Sequence, residues 1–206
     1  MSIPYEMKGR RKQKARTRSA LIEATRQLLG EGLTPTVEQA AQRAEVARTT
    51  AYRYFANQNE LLIATYPELD EPSLLGVDPP SDPSARLKIV TERLTQQVVD
   101  HEPELRATLR LALGPDAPKN DEMPLRQGRG IYWIEDALTP LRGHLSETEI
   151  RRLVLAIRAT IGIEALVWLT DVGGLPRAEA VATMRWSAKA LLRSALEDVP
   201  ARQQLE

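Results

Sequence analysis

The amino-acid sequence predicts an all-α protein, with an N-terminal three-helix domain built around a helix-turn-helix and a larger C-terminal helical domain. Apolar residues recur at spacings of three and four along most of the chain, which is the period of one face of an α-helix. No stretch shows the alternation of apolar and polar residues that is typical of strands. Residues 66–83 contain five prolines, a density that no helix tolerates, and we interpret them as the connection between the two domains.

Composition places the chain among globular proteins. Of its 206 residues, 42% are hydrophobic and 27% are charged, and cysteine is absent, which excludes disulfides and thiolate metal sites. The basic N-terminus lacks the apolar segment of a secretory signal, and no window approaches the roughly 18 uninterrupted apolar residues of a membrane helix. We therefore expect a soluble, cytoplasmic protein with no membrane partner.

The net charge of zero conceals an asymmetry between the two ends of the chain. Residues 1–62 carry 11 Lys and Arg against 6 Asp and Glu, whereas the remaining residues carry 17 against 22. Seven of the positive charges fall within residues 8–18 with no acid among them, and their mutual repulsion predicts a flexible basic arm over residues 1–16. Taken alone, such a run is either a solubilising tail or a segment that binds a polyanion.

Residues 17–65 follow as a predicted three-helix domain. Its first helix carries apolar residues at helical spacing and ends at Gly30. Thr36 is a favourable N-cap, and Gln39 three residues later completes a capping box for a short helix over residues 37–44.

A second short helix over residues 48–54 follows a connection of three residues, and the pair has the form of a helix-turn-helix that enters the major groove of DNA. Ala51 and Tyr54 are expected to face inward. Arginine can then bond guanine, while threonine and tyrosine can reach phosphate. The outward-facing candidates are Arg48, Thr49, Thr50, Tyr52 and Arg53. A plain bundle of three amphipathic helices remains the alternative interpretation of this pattern.

Residues 36–55, TVEQAAQRAEVARTTAYRYF, resemble the DNA-binding domain of TetR/AcrR-type transcriptional regulators. The shared features are a Thr-Val helix start, a paired alanine, an Ala-x-Val-Ala turn and an aromatic-x-aromatic-Phe end. The resemblance is strong over residues 15–65, and the stretches RQGRGIYWIE (residues 126–135) and GIEA (residues 162–165) resemble one branch of the family.

The resemblance implies a sequence-specific regulator that binds a palindromic operator in double-stranded DNA as a homodimer. Repression with release by a small-molecule effector is the usual mode of the family, and activation is the alternative. The basic arm would then contact phosphates or enter the minor groove. The further DNA-contact candidates are basic residues of the arm and the N-cap of the first short helix: Lys8, Arg10, Arg11, Lys12, Lys14 and Thr36.

Two positions depart from the family pattern. Gln58 stands where a lysine often meets phosphate at the start of the next helix, which puts one phosphate contact in doubt. Glu45 stands where the turn often carries glycine. A left-handed backbone there would cost about 1 kcal/mol without glycine.

Residues 84–206 are predicted to be a helical ligand-binding and dimerisation domain. Its expected helices cover residues 84–101, 103–113, 125–141, 147–171 and 177–199. The resemblance implies that the last two pair with their symmetry mates, and each carries an apolar stripe at helical spacing. The stripes that we expect at the dimer interface are Leu153, Ile157, Ile161 and Ala165, and Val181, Met184, Ala188, Leu191 and Ala195. Which stripe faces which partner stays open.

The remaining helices would enclose an effector pocket, and its candidate lining is Tyr66, Tyr132, Trp133, Glu164 and Trp168. A tryptophan at helical spacing is more often part of a core. Glu164 interrupts an apolar run, so we expect it to pair with Arg158 or Arg126, or to face a cationic ligand.

An enzyme is the competing class, and the residue inventory argues against it. His101 and His144 are the only histidines, and the chain contains no HExxH, GxSxG, Walker A or GxGxxG motif. We predict no metal, no cofactor and no catalytic residue. A DNA-binding architectural protein without an effector is the other alternative.

Overall fold

A computed structural model describes the backbone of residues 5–65, 71–114 and 129–203, and the side chains of residues 12–65, 71–114 and 129–197. Within these ranges every regular element is helical and no β-strand occurs, which confirms the all-α prediction. The elements in chain order are α1 (Tyr5–Gly30), α2 (Val37–Arg43), α3 (Arg48–Ala51), α4 (Gln58–Thr65), α5 (Pro83–Asp100), α6 (Glu102–Ala112), α7 (Arg129–Ala137), a 3-10 turn (Thr139–Leu141), α8 (Glu147–Thr160), α9 (Ile163–Val167) with a π-helical turn (Trp168–Val172), and α10 (Arg177–Gln203).

The chain divides into two compact units, one of Met1–Glu68 with Pro103–Leu125 and one of Leu69–Glu102 with Arg126–Glu206. In the first unit α1 packs against α2 and α4, and α2 packs against α3. Three alanines allow α2 and α3 to approach closely, since a methyl group holds neighbouring backbones apart by less than a longer side chain does. The core cluster consists of Leu21, Val37, Ala40, Ala41, Ala51, Phe55 and Leu61.

Helix α6 belongs to this first unit, whereas the sequence led us to place all of residues 84–206 in the C-terminal domain. The physical reason is a second apolar cluster, in which Ala107 of α6 packs with Leu29 and Leu62 and is joined by Leu111. The proline-rich connection is therefore not the only place where the chain passes between the two units.

Helix α1 extends through the basic residues that we predicted as a flexible arm. It begins at Tyr5, so that residues 8–16 form its N-terminal half. Lys, Arg, Gln and Ala all have high helix propensity, and residues 21–29, which pack in the core, supply the nucleus from which the helix extends. The structure thus has helix where the sequence led us to expect a flexible arm, because charge repulsion at this spacing does not outweigh helix propagation from a packed turn.

In the second unit α10 packs against α5 and α8, and α7 packs against the same two helices. Arg86 of α5 is almost fully buried, and it donates hydrogen bonds to the carbonyl oxygens of Ala137 at 3.1 Å and Asp136 at 2.8 Å. Its guanidinium also pairs with the Asp136 carboxylate at 3.3 Å. A buried charge with this many partners joins α5 to the end of α7.

The segment predicted as one helix over residues 147–171 is bent in the structure. Helix α8 ends at Thr160, and the axis turns by 42° before α9 begins at Ile163. Gly162 between them has extended backbone, with φ −92° and ψ 178°, and serves as the N-cap of α9. Extended backbone cannot continue a helix, so the helix breaks at Gly162. The spacing of apolar residues continues unchanged across this break and does not reveal it.

Among the described residues, no single helix is both long and apolar enough to cross a membrane, although α8 and the α9 segment together pass that test as a bent pair on length and composition alone.

Candidate nucleic-acid interface

The first helix of the helix-turn-helix begins with the capping box that the sequence predicts. The hydroxyl of Thr36 accepts a hydrogen bond from the backbone N–H of Gln39 at 3.2 Å, and the Gln39 side chain accepts one from the backbone N–H of Thr36 at 2.8 Å. Two N–H groups that the helix leaves without partners are thereby satisfied. Thr36 itself is exposed at this end of α2.

The turn after α2 depends on one residue with left-handed backbone. Glu45 has φ of +54°, and the next residue, Val46, donates its backbone N–H to the carbonyl of Ala41 at 2.9 Å. This confirms the geometry that we inferred from the family's glycine at this position. For a residue with a Cβ, this conformation costs about 1 kcal/mol.

The second short helix presents the face that we predicted. Ala51 is fully buried and Tyr54 is half-buried, and both pack in the unit's core. Regular α-helix ends at Ala51, earlier than the predicted residue 54, and the chain continues as a tight turn through residues 52–54. Of the outward-facing candidates, Thr50 is half-buried, and the exposed members are Arg48, Thr49, Tyr52 and Arg53.

A carboxylate on α2 reaches two of these side chains. Oε1 of Glu38 accepts a hydrogen bond from the Tyr52 hydroxyl at 2.6 Å and lies 2.8 Å from Nη2 of Arg48. The Arg48 guanidinium also stands 5.8 Å from the centre of the Tyr52 ring, as in a cation–π contact. We refer to these three residues as the Glu38 cluster.

Hydrogen bonding within the Glu38 cluster shifts the pKa values of two of its members away from neutral pH. The hydrogen bond from Tyr52 is the largest cause that lowers the pKa of Glu38, and the same bond raises the pKa of Tyr52. Glu38 therefore stays ionised and Tyr52 stays protonated at neutral pH. Glu38 is not among the site residues that the sequence predicts. The spacing of four between Arg48 and Tyr52 marks a shared helix face, whereas their pairing with α2 depends on the turn geometry.

Gln58, one of the two departures from the family pattern, is fixed by internal contacts. Its side-chain amide donates to the carbonyl oxygens of Thr34 at 3.1 Å and Pro35 at 3.0 Å. These bonds join the start of α4 to the loop before α2. In this chain the position holds the two helix starts together.

The basic segment of α1 lies in the same unit. Lys12 and Lys14 are exposed, whereas the side chains of Lys8, Arg10 and Arg11 lie outside the described residues. Farther along α1, the guanidinium of Arg18 stands 5.5 Å from the centre of the Phe55 ring, which joins α1 to the end of the α3 turn.

Of the candidate pocket residues that the structure describes, only Glu164 and Trp168 line a common groove. Trp133 is buried, and its indole N–H donates to the carbonyl of Glu71 at 2.9 Å, so it belongs to the core. Tyr132 is 66% exposed and does not line the groove that contains Glu164 and Trp168. Tyr66 lies outside the described residues.

Glu164 and Trp168 line an open groove of about 360 Å³ on α8, α9 and α10. Glu164 pairs with Arg158 at 3.9 Å, one of the two arginines that we expected, but its side chain is 44% exposed rather than buried. Trp168 is 61% exposed at the same groove. The other lining residues are Ala159, Thr160, Ala165, Leu169, Thr183, Met184 and Ser187.

Most of the apolar stripes that we assigned to a dimer face are buried within the single chain. The fully or almost fully buried members are Leu153, Ile157, Ile161, Met184 and Ala188. The half-buried members are Ala165, Val181, Leu191 and Ala195. The physical reason is that α8 and α10 pack on each other and on neighbouring helices, so the helical period reports the inner face of the unit. The large apolar side chains that α8, α9 and α10 leave exposed are Leu155, Trp168, Val172 and Trp186.

In the part of the chain that the structure describes, no group of three or more His, Asp or Glu side chains is placed to hold a metal ion.

Solved structures of other proteins resemble this chain in fold. No protein-family model and no curated protein matches this sequence. A TetR transcriptional regulator from Rhodococcus sp. RHA1 has a similar structure, with a TM-score of 0.52 and 21% identity over 87% of this chain and 97% of that one. The crystal structure of a HlyIIR mutant protein is similar with a TM-score of 0.54 and 12% identity, over 82% of this chain and 97% of that one. The chain therefore has a TetR-type fold.

Proposed function

We propose that this chain is a sequence-specific DNA-binding transcriptional regulator. The observation that carries the proposal is the outer face of α3 and of the turn that follows it (residues 48–53), where two arginines, a threonine and a tyrosine are exposed while Ala51 is fully buried beneath them. A short helix held by small inner residues, with long donors outside, suits entry into the major groove. The TetR-type fold supports the same function.

The residues divide by what they would contact. Arg48 and Arg53 can bond guanine edges, and Thr49 and Thr50 can contact phosphate or a thymine methyl group. Thr36 stands at the N-terminus of α2, where a helix offers N–H groups to phosphate. The basic residues of α1 add charge that attracts the duplex, which makes binding depend on salt.

The basic segment supplies a quantitative prediction. Deletion of residues 1–14 is expected to lower the affinity for DNA and to flatten the slope of log K against log salt by about 0.9 for each phosphate that the shortened chain no longer neutralises. Fluorescence anisotropy with a labelled duplex at several salt concentrations measures both quantities. An unchanged slope would mean that these residues only extend the helix and aid solubility.

The proposal includes a homodimer, because a palindromic operator requires two recognition helices one turn of DNA apart. Four large apolar side chains are exposed on the last helices of the C-terminal unit, and Trp186 on α10 is 67% exposed. Exposed aromatic residues of this kind are typical of protein interfaces. We place the dimer contact on these side chains and not on the buried stripes.

We further propose repression that a small-molecule effector relieves. The open groove is lined by the aromatic ring of Trp168 and by the carboxylate of Glu164, so an organic cation would stack on the ring and compete with Arg158 for the carboxylate. Trp168 is also one of the side chains of the proposed dimer contact. A DNA-binding architectural protein without an effector is the second candidate. It would bind DNA and respond to no small molecule.

Footprinting of the purified protein on the DNA that flanks its own gene tests the proposal, and candidate effectors are then added. We expect a protected palindrome that Arg53→Ala fails to protect, and release from it by one of the compounds. Protection that no compound relieves would favour the architectural protein. Absence of any preferred site, with the chain folded, would reject sequence-specific regulation.

A further inference from the structure

The Glu38 cluster occupies the face of the helix-turn-helix that would meet DNA. One carboxylate oxygen on α2 accepts from a side chain of α3 and one of the turn after it, with 2.8 Å to the Arg48 guanidinium and 2.6 Å to the Tyr52 hydroxyl. Both side chains are among the outward-facing candidates. An acid at this place opposes simple attraction of the duplex, so its presence needs a physical reason.

A carboxylate in this arrangement changes what Arg48 can do. Its negative charge offsets the positive charge of the guanidinium, and the hydrogen bond from Tyr52 lowers the pKa of Glu38 further below neutral pH. A phosphate that approaches must compete with Glu38 for the same donors. Guanidinium has five N–H donors in a planar fork, so one bond to Glu38 leaves others that can reach a guanine edge.

We infer that Glu38 is a specificity-determining residue, which holds Arg48 and Tyr52 in one orientation and withholds them from backbone phosphates. The inference rests on the proposed DNA-binding function and concerns the same surface. On arbitrary DNA, where phosphates supply nearly all the affinity, Glu38 lowers binding. On the operator, where base edges contribute, the orientation that Glu38 maintains is used and the loss of affinity is offset.

The size of the effect follows from exposure. The side chains of Arg48 and Glu38 are 71% and 37% exposed, and exposed ion pairs are weak. We therefore expect Glu38→Gln to tighten binding to a random-sequence duplex by about three- to tenfold at low salt, with a salt slope steeper by about 0.9, the value for one phosphate contact. Operator affinity should change by less than about twofold, so that the ratio of operator to random affinity falls.

The experiment compares wild type and Glu38→Gln in the full-length chain on two labelled duplexes, the operator found by footprinting and a scrambled sequence of equal length, over a salt series. Glu45→Gln is the matched control, because it removes an acid from the same module without touching Arg48 or Tyr52. The control should shift both duplexes equally. Arg48→Ala should remove most of the effect of Glu38→Gln on scrambled DNA, because the charged one of the two released donors is then missing and only the Tyr52 hydroxyl is left.

The outcomes separate the inference from the function on which it rests. Equal tightening on both duplexes, or no change on either, would reject a specificity role for Glu38 while sequence-specific binding by the wild type stands. Wild-type protein that binds operator and scrambled DNA alike would instead reject the proposed function. Glu38→Ala serves as a second variant if Glu38→Gln fails to fold, with circular dichroism as the check.

Discussion

The α2–α3 corner and the α8–α9 bend are both places where two helices meet at a break in the chain, yet only the first is marked in the sequence. At the corner, Glu45 takes the left-handed backbone that ends α2, at a turn position where the family pattern often has glycine. At the bend, a single glycine, Gly162, interrupts an otherwise continuous apolar period. The first break coincides with a turn that the resemblance marks, whereas the second is easily missed because only an extended glycine marks it.

The two units also differ in what their apolar periods report. In the N-terminal unit the inward residues of the two short helices are alanines and a valine, and every large donor is outside. In the C-terminal unit the stripe through Ile157 is buried within the chain, while Trp186 on α10 is exposed. Helical period identifies a buried face, but it does not say whether the same chain or a second copy covers that face.

The largest expected effect tests the core assignment in the C-terminal unit. Ile157→Ala removes a fully buried side chain and should lower the free energy of unfolding by about 2–5 kcal/mol. Urea unfolding monitored by circular dichroism measures the loss. The matched change is Trp186→Ala, which should weaken self-association in analytical ultracentrifugation while helical content is kept. If Ile157→Ala left stability intact and dissociated a dimer, the stripe would belong to the interface after all.

The next effect compares the two capping boxes of the chain. Thr36 and Gln39 form one at α2, and Ser146 and Glu149 form the other at α8. Thr36→Ala and Ser146→Ala should each cost about 1 kcal/mol of unfolding free energy, because each leaves a helix N–H without its partner. Only Thr36→Ala should also weaken DNA binding in anisotropy measurements. Weaker DNA binding by both variants would show a general response to instability instead of a contact at α2.

The smallest effect concerns the backbone of the turn. Glu45→Gly should raise the unfolding free energy by up to about 1 kcal/mol, since glycine adopts the left-handed conformation without a Cβ penalty. Thermal unfolding detects the gain, and Glu45→Ala, which keeps the Cβ, is the control and should show none. A gain from alanine equal to that from glycine would place the cause in the charge and not in the backbone.

Much of the N-terminal unit could be predicted because its signals are local. The capping box and the inward alanine follow from residues within four positions of one another, and the left-handed turn follows from the resemblance to the family, which often has glycine there. The Glu38 cluster could not be predicted, because it depends on the angle between two helices across the turn. The helical form of residues 8–16 was also missed, since local charge argues for disorder while the packed half of the same helix argues for order.

The pocket prediction shows a different limit. Aromatic residues close in sequence, such as Tyr132 and Trp133, point to different sides of one helix, and only the surrounding packing decides which is core. Glu164 was expected in an apolar interior because its neighbours are apolar. Its position after the bend brings it to the surface instead, where it pairs with Arg158.

Because α1 is unbroken, the packed part of the helix determines the direction in which the basic side chains point around its axis. Because residues 12–18 and the packed residues from Leu21 onward share one helix, each inserted residue between them would turn the charges by about 100° around the axis and advance them by about 1.5 Å. An insertion of seven residues would nearly restore the direction while moving the charges by about 10 Å. The helix therefore fixes both the direction in which the basic side chains point and their distance from the core. Each inserted or deleted residue changes both.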